Sequence, residues 1–140
     1  MSVKERKVLI ITHGHFGIEL VKSVEMIMGQ QDFIDAMGLV PGQSVDDLRQ
    51  QAYDVLTKND EVGAETIVIC DLLGGSPSNV ALSCLGKSDC KVVLGVNMPF
   101  LIELIQDSAD IEDTDELIRR ALEAGKTGLI FKDRASLQKG

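Results

Sequence analysis

The chain has 140 residues, of which 44% are hydrophobic and 26% are charged, and its formal net charge is −8 at pH 7. This length predicts one domain, residues 1–140, and the composition is typical of a globular protein rather than of a disordered one. No apolar run approaches the ~20 residues of a membrane-spanning helix. The acidic charge argues against nucleic acid as a partner, because the phosphate backbone would repel the chain.

The cysteines and the N-terminus indicate where the protein works. Three cysteines form an odd number without C-x-x-C spacing, which predicts neither a disulfide framework nor a zinc site. The first apolar run, Val8–Ile11, is shorter than the ~7–15 residues of a signal peptide's apolar region. We therefore expect a protein of the reducing cytoplasm.

The first half of the chain alternates strand-like and helix-like segments. A strand over Lys7–Thr12 precedes a helix over Phe16–Met28, which ends at Gly29. A second strand, about Phe33–Leu39, is followed by a helix for which Ser44 is a good N-cap.

The second half continues the same alternation. The predicted segments are a strand at Thr66–Cys70, a helix from about Ser76, a strand at Lys91–Val96, a helix over Pro99–Gln106, a helix over Asp113–Ala124 ended by Gly125, and an apolar run at Gly128–Phe131.

Most of these strands are continuous apolar runs, which is typical of strands buried on both faces of a parallel sheet. We predict an α/β fold with an open, doubly wound, mainly parallel sheet in the flavodoxin-like order 2-1-3-4, and with Gly128–Phe131 as a C-terminal edge strand. In such a sheet the ligand site lies at the carboxyl ends of strands 1 and 3, where the strand order reverses.

Two histidines follow the first strand, and only one is expected to face this crevice. His13 comes directly after the strand, whereas His15 lies in the following turn. Imidazole is a nucleophile near neutral pH, and a carboxylate bonded to one ring nitrogen leaves the other free to attack. Asp71, after strand 3, is the candidate carboxylate. On these residues alone, a structural histidine and a turn-capping aspartate remain open alternatives.

The glycine pair after strand 3 predicts a place for an anion. Gly74 and Gly75 let the backbone approach a ligand closely, and the helix that follows offers unpaired amides near Ser76, Ser78 and Asn79. Phosphate is the natural candidate.

Other motifs are incomplete. The stretch Leu85–Ser88 resembles the end of a P-loop, but Ala81 stands where the first glycine is required. The pair His13 and His15 lacks acidic or cysteine ligands at recognisable spacing, so no metal is predicted. The chain has neither G-x-S-x-G nor G-x-G-x-x-G. Flavin binding stays open, although aromatic residues are scarce, and no cofactor is predicted.

Four stretches together resemble the IIA domain of the mannose class (mannose, fructose and sorbose) of the phosphoenolpyruvate-dependent sugar phosphotransferase system. They are VLIITHGHFGIELVKSVEMIMG, VPGQSVDDL, IVICDLLGGSPSNVA and VVLGVNMPFLIEL, in register from about residue 7 to 106. The pairing of T-H-G after strand 1 with D-x-x-G-G-S-P after strand 3 is the most specific part of the resemblance.

The resemblance implies a phosphotransferase in which His13 accepts a phosphoryl group from the phosphocarrier HPr and passes it to a IIB component. The membrane components IIC and IID would then use it indirectly for sugar uptake. Asp71 matches the family's aspartate that bonds the active histidine, and Ser76 matches the serine of its anion-binding turn. We expect Thr12, Gly75 and Ser76 to bind the phosphoryl oxygens.

Two partners must reach His13 in turn, so we expect it at an exposed rim formed by His15, Phe16, Leu72, Leu73, Met98 and Phe100. The resemblance also implies a homodimer that exchanges its C-terminal strand, for which TGLIFKD after Gly125 is the candidate. The chain stops at Gly140, from which we expect a free-standing IIA component in the cytoplasm, held at the inner face of the membrane through the transporter complex.

Two alternatives remain at this stage. One is the related IIA-like phosphodonor of dihydroxyacetone kinase systems, which shares the fold and the crevice. The other is a flavodoxin-like binding module that never reacts covalently.

Overall fold

The structure is a computed structural model that describes residues 5–138. Within this range the chain forms four strands, six helices and a 3₁₀ turn at Cys84–Gly86. In chain order they are β1 (Arg6–His13), α1 (Phe16–Met28), β2 (Ile34–Leu39), α2 (Val45–Glu61), β3 (Glu65–Cys70), α3 (Ser76–Ser83), β4 (Lys91–Leu94), α4 (Met98–Asp107), α5 (Thr114–Thr127) and α6 (Arg134–Gln138).

The strands form one parallel sheet in the order β2-β1-β3-β4. The predicted fold class is therefore confirmed. At the centre of the sheet, Ile10 of β1 lies opposite Ala36 of β2 and Ile69 of β3. The chain runs outward to β2, returns past β1 and continues to β3 and β4, so the strand order reverses between β1 and β3.

Each face of the sheet is covered by its own helices. Val8 and Ile10 point to the face packed by α1, α4 and α5, where Leu20, Leu101 and Leu117 are buried. Leu9 and Ile11 point to the opposite face, where α2 and α3 contribute Leu48, Leu56, Val80 and Ala81. Burial on both faces explains why β1 is a continuous apolar run rather than an alternating one.

Two helices begin at the caps expected from side-chain chemistry. The Ser44 hydroxyl accepts the backbone N–H groups of Asp46 and Asp47, at 3.1 and 3.3 Å, as predicted. The Asn97 side chain accepts the N–H of Phe100 at 3.0 Å and begins α4. Both caps bond amides that would otherwise have no partner within their helices.

The prediction that Gly125 ends the last helix is wrong, because α5 continues to Thr127. Gly125 is buried, and a Cβ at this position would lie 3.1 Å from Cβ of Phe100. The Asn97 amide also donates to the Gly125 carbonyl at 3.0 Å. This glycine therefore allows close packing of α5 on α4 and does not terminate the helix.

The predicted strand over Gly128–Phe131 is not formed in this chain. Residues 128–133 have no regular structure, and Leu129, Ile130 and Phe131 are 86, 66 and 85% exposed. β4 and β2 are thus the two edges of the sheet in the described residues. The short α6 that follows was not predicted. Exchange of the C-terminal segment between two copies stays a prediction. None of the helices between residues 5 and 138 is long and apolar enough to cross a membrane.

Candidate functional site

His13 and Asp71 meet at the carboxyl end of the sheet. His13 is the last residue of β1, and Asp71 directly follows the neighbouring strand β3. The Asp71 carboxylate oxygen Oδ2 lies 2.9 Å from Nδ1 of the His13 ring and accepts the His13 backbone N–H at 3.0 Å. Because one oxygen holds both groups, the ring is oriented with Nδ1 toward Asp71 and with Nε2 free.

The second carboxylate oxygen of Asp71 is also occupied. Oδ1 accepts the N–H of Leu72 at 3.0 Å and the Cys70 thiol at 3.4 Å. Burial of Asp71 opposes its ionisation, but the hydrogen bonds from His13 and Cys70 outweigh this effect and lower the pKa of the carboxyl. Asp71 is therefore a fixed anion beside the imidazole, and burial raises the pKa of the Cys70 thiol to about 11, so the thiol acts as a neutral donor.

The free nitrogen of His13 faces the glycine turn that precedes α3. A Cβ at Gly75 would lie 3.2 Å from His13 Nε2. The Gly75 backbone is therefore close to the ring, and a side chain at this position would crowd it. Gly74 and Gly75 have φ values of 116° and 91°, a region that disfavours other residues. α3 begins at Ser76, and its first amides have no partners within the helix. The predicted juxtaposition of His13, Asp71, Gly75 and the start of α3 is present.

Thr12 is not placed as predicted. Its side chain is fully buried, and its hydroxyl accepts the N–H of Gly17 at 2.9 Å and donates to the His13 carbonyl at 3.2 Å. The hydroxyl is thus used to hold the turn between β1 and α1, so the expectation that it binds phosphoryl oxygens is corrected.

The residues predicted to form an apolar rim are exposed or half-buried except for one, and their role as a rim stays a prediction. The His13 side chain is 52% exposed, and Phe16, Leu72 and Leu73 are also exposed. His15 is also exposed, and Met98 is half-buried. Phe100 is buried under α5 instead, because its backbone and Cβ pack against Gly125, and its assignment to the rim is wrong.

An open groove of about 420 Å³ continues from the rim between α1 and the turn before α4. Phe16, Leu20, Val96 and Met98 give it a mainly apolar lining, and Glu19 adds one carboxylate. No group of three or more His, Cys, Asp or Glu side chains that could hold a metal ion occurs within residues 5–138.

Sequence reasoning missed Gly38 and the side-chain role of Ser78, both of which shape the site. A Cβ at Gly38 of β2 would lie 1.6 Å from the Gly14 carbonyl oxygen, so only glycine lets the turn after His13 rest on this strand. The Ser78 hydroxyl bonds both Gly74 and Gly75. A serine two residues after a G-G-S turn was a usable signal for Ser78, whereas no local pattern marks Gly38.

The fold and the site define a class of protein: a parallel α/β sheet whose switch point presents an exposed histidine, oriented by a carboxylate, to the N-terminus of a helix. A family model described as the PTS system fructose IIA component matches residues 7–122, and the chain belongs to this family. The family is that of the IIA components of the mannose and fructose class of the phosphotransferase system (PTS).

Individual relatives agree with this assignment. The chain is 32% identical over 123 residues to the mannose-specific EIIAB component of Escherichia coli K12, a match that covers 87% of this chain and 38% of that protein. It is 30% identical over 99 residues to the fructose-specific EIIA component of Bacillus subtilis, covering 70% of this chain and 67% of that one. The crystal structure of a PTS permease protein from Klebsiella pneumoniae superposes with a TM-score of 0.80 at 29% identity, over 96% of both chains.

Proposed function

We propose that the chain is a phosphohistidine carrier: His13 accepts a phosphoryl group from phospho-HPr and passes it to the cognate IIB component for coupled sugar uptake. The observation that carries this proposal is the geometry of His13. Its Nδ1 is held by Asp71 at 2.9 Å, while Nε2 faces Gly75 at the start of α3 on a side chain that is 52% exposed. One nitrogen is thus oriented and the other is available to react.

The proposed step moves one phosphoryl group between two nitrogens. The lone pair of Nε2 attacks phosphorus, the P–N bond of the donor histidine breaks, and the released electron pair stays on the donor's imidazole. His13 then carries the phosphoryl group on Nε2 and a proton on Nδ1, so its ring is cationic. Asp71 stabilises this charge through the same hydrogen bond that orients the ring.

Transfer of this kind requires positioning and charge stabilisation more than covalent machinery. The Gly75–Ser76 turn supports both, because the first amides of α3 point their positive dipole end toward the place where the phosphoryl oxygens would lie. Both bonds are P–N bonds, so the step is close to balanced and the supply of phosphoenolpyruvate sets its direction.

The surface around His13 suits two successive partners. Phe16, Leu72, Leu73 and His15 are exposed and Met98 is half-buried, so these side chains are accessible to a partner. We propose that HPr and IIB use the same rim in turn, since both must bring a histidine to Nε2. The chain would act in the cytoplasm as one IIA domain and as a homodimer, and would reach the membrane through the transporter complex.

The direct test is phosphorylation of the purified chain with phosphoenolpyruvate, enzyme I and HPr. We expect one phosphoryl group per chain, acid-labile and alkali-stable, as a phosphoramidate should be. The His13→Gln variant removes the proposed nucleophile and should take up none. The matched His15→Gln variant should still take up one phosphoryl group per chain. A contact between His15 and the partner would change the rate of labelling but not this final amount.

The proposal fails if His13→Gln is still labelled or if His15→Gln alone abolishes labelling. An unlabelled wild-type chain that retains its circular dichroism spectrum would support a binding module that does not react covalently. Addition of the cognate IIB component should then discharge the labelled wild type. A labelled chain that never discharges to IIB would contradict the proposed relay.

A further inference from the structure

The Ser78 side chain bridges both glycines of the turn that faces His13. Ser78 lies in the first turn of α3 and is 1% exposed. Its hydroxyl oxygen accepts the backbone N–H of Gly74 at 2.9 Å, and its proton is donated to the Gly75 carbonyl at 3.0 Å. A single buried hydroxyl therefore satisfies one group on each of two consecutive glycines.

The Ser78 hydroxyl bonds a pair of glycines, whose backbone dihedral angles are restricted less than those of other residues. Gly74 and Gly75 have positive φ values, and a glycine pair can leave such a conformation at little steric cost. Rotation of Gly75 would change both its contact with His13 Nε2 and the direction of the amide that leads into α3. The hydroxyl keeps the turn in the conformation in which Gly75 faces the ring.

The same bridge selects which amides remain available to an anion. The Gly74 N–H is already bonded to Ser78, so it is not available to an anion. The N–H groups of Gly75 and Ser76, which follow it, are the next donors along the chain, and Pro77 has none. Of the amides at the start of α3, those of Gly75 and Ser76 adjoin the residue that faces Nε2.

We propose that Ser78 is a positioning residue for phosphoryl transfer: its hydroxyl fixes the Gly74–Gly75 turn so that the amides of Gly75 and Ser76 meet the phosphoryl group on His13. This inference rests on the proposed function, because it concerns how the turn treats a phosphoryl group carried by His13. Ser78 itself does not touch that group.

A second serine in the same helix provides a matched control. The Ser83 hydroxyl donates to the Val80 carbonyl at 2.7 Å, the same spacing as from Ser78 to Gly75, and accepts the Tyr53 hydroxyl at 3.0 Å. Ser83→Ala therefore removes a comparable pair of hydrogen bonds from α3 without affecting the glycine turn. General weakening of the helix is common to both variants, whereas loss of the bridge is specific to Ser78→Ala.

The experiment measures transfer from phospho-HPr to wild type, Ser78→Ala and Ser83→Ala by rapid quench over a range of phospho-HPr concentrations. Loss of a direct donor to a developing charge typically costs about 100- to 1,000-fold in rate, and a donor that is only mispositioned should cost less. We expect the maximal rate of Ser78→Ala to fall about tenfold with its KM for phospho-HPr unchanged, and Ser83→Ala to stay close to wild type in both.

A spectroscopic readout separates positioning from stability. On phosphorylation of the wild type, the amide proton resonances of Gly75 and Ser76 should shift strongly as they meet the phosphoryl oxygens. These shifts should be reduced in Ser78→Ala and retained in Ser83→Ala. Amide hydrogen exchange of Gly74 in the unphosphorylated chain should also be faster in Ser78→Ala, because its bonding partner is gone.

Several outcomes would overturn the inference. Wild-type rates and amide shifts in Ser78→Ala would do so, and so would equal losses in the two variants. A Ser78→Ala protein that is less stable but transfers normally when folded would reduce Ser78 to a structural role. Failure of the wild type itself to accept a phosphoryl group is a different result, because it rejects the proposed function before Ser78 is reached.

Discussion

Asp71 combines two tasks in one carboxylate. Its Oδ2 accepts both N–H groups that His13 offers, from the backbone and from the ring, while Oδ1 is held by Leu72 and Cys70. With its side chain only 9% exposed, the anion has little access to water and depends on these donors for its stabilisation. The hydrogen bonds that orient His13 therefore also stabilise the fold.

Asp71→Asn should lower the stability of the protein in a pH-dependent way. The folded pKa of Asp71 lies below its ordinary value of 3.8, so the ionised carboxylate stabilises the fold at pH values above 3.8, and this contribution is lost as the pH falls through the lowered pKa. Replacing Asp71 should cost about 1.5–3 kcal/mol at pH 7, as expected for hydrogen bonds to a charged group. Urea unfolding of both proteins should give a constant difference down to about pH 5 that shrinks below 3.8.

Asp46→Asn is the control for this measurement. The Asp46 side chain is 89% exposed and pairs with Arg49 on the surface of α2, where an ion pair contributes at most about 1 kcal/mol. A loss of stability in Asp71→Asn no larger than in Asp46→Asn, or one that persists unchanged at the lowest pH, would contradict the assigned role of the Asp71 carboxylate.

At the level of residues, prediction from sequence succeeded where topology alone decides proximity. His13 and Asp71 end adjacent parallel strands, so the strand order is sufficient to bring them together. Prediction failed where a side chain makes other contacts within the fold than those expected at the site. The Thr12 hydroxyl bonds the turn on either side of it, and Phe100 lies under a helix whose packing the sequence pattern does not reveal.

At the scale of elements, β1 is held at both of its ends. Its C-terminal end carries His13, and at its N-terminal end Arg6 is 5% exposed. The Arg6 guanidinium donates to the Thr114 hydroxyl and the Ser108 carbonyl, both at 2.8 Å, and to the carbonyls of Ile111 and Glu112. Arg6 thus fastens the connection between α4 and α5 to the sheet.

Removing Arg6 should therefore destabilise the protein without affecting the chemistry. Arg6→Met keeps a long apolar side chain but leaves the buried Thr114 hydroxyl and three partly buried carbonyls without this donor, which should lower the free energy of unfolding by about 3 kcal/mol. A rise of ~3.3 Å per residue places His13 roughly 23 Å away along β1, so the folded variant should still take up one phosphoryl group per chain. Urea denaturation and the labelling assay measure the two effects separately.

Lys7→Met tests the neighbouring cation. Lys7 makes only a partly exposed ion pair with Glu5 at 3.7 Å, and its removal should cost at most about 1 kcal/mol. Equal stability of Arg6→Met and Lys7→Met would refute the fastening role. Loss of labelling in folded Arg6→Met would show that the two ends of β1 are not independent.

The elements themselves were predictable because their signals are local. Continuous apolar runs marked most of the strands, and Ser44 marked the start of α2. The end of α5 was not predictable in this way. A glycine after a helical pattern usually marks the end of the helix, but Gly125 lies inside α5 and packs against Phe100 and Asn97 of α4 and its cap. Gly128–Phe131 has the apolar composition of a strand but no neighbour in a single chain with which to pair.

At the scale of the whole molecule, the functional features lie at one end of the sheet and the unpaired apolar segment lies after α5. Leu129, Ile130 and Phe131 are consecutive and exposed in a chain whose other apolar side chains mostly pack on the sheet. Such a run is typical of a surface that another protein covers. The edge strand β4 is free to pair in the described residues, which agrees with the proposed homodimer.

Substitutions in the exposed apolar segment of the full chain test the proposed dimer. In an extended strand Leu129 and Phe131 face the same side, so changing both to serine removes one apolar face of the segment. Burial of each side chain contributes about 1.5–3 kcal/mol, and each ~1.4 kcal/mol is a tenfold change in affinity, so the double variant should weaken the dimer at least 100-fold. Sedimentation equilibrium should show a dimeric wild type and a largely monomeric double variant. Met26→Ser, which changes a side chain on α1 that is 87% exposed, should remain dimeric, and a monomeric wild type or equal behaviour of the two variants would reject the exchanged segment.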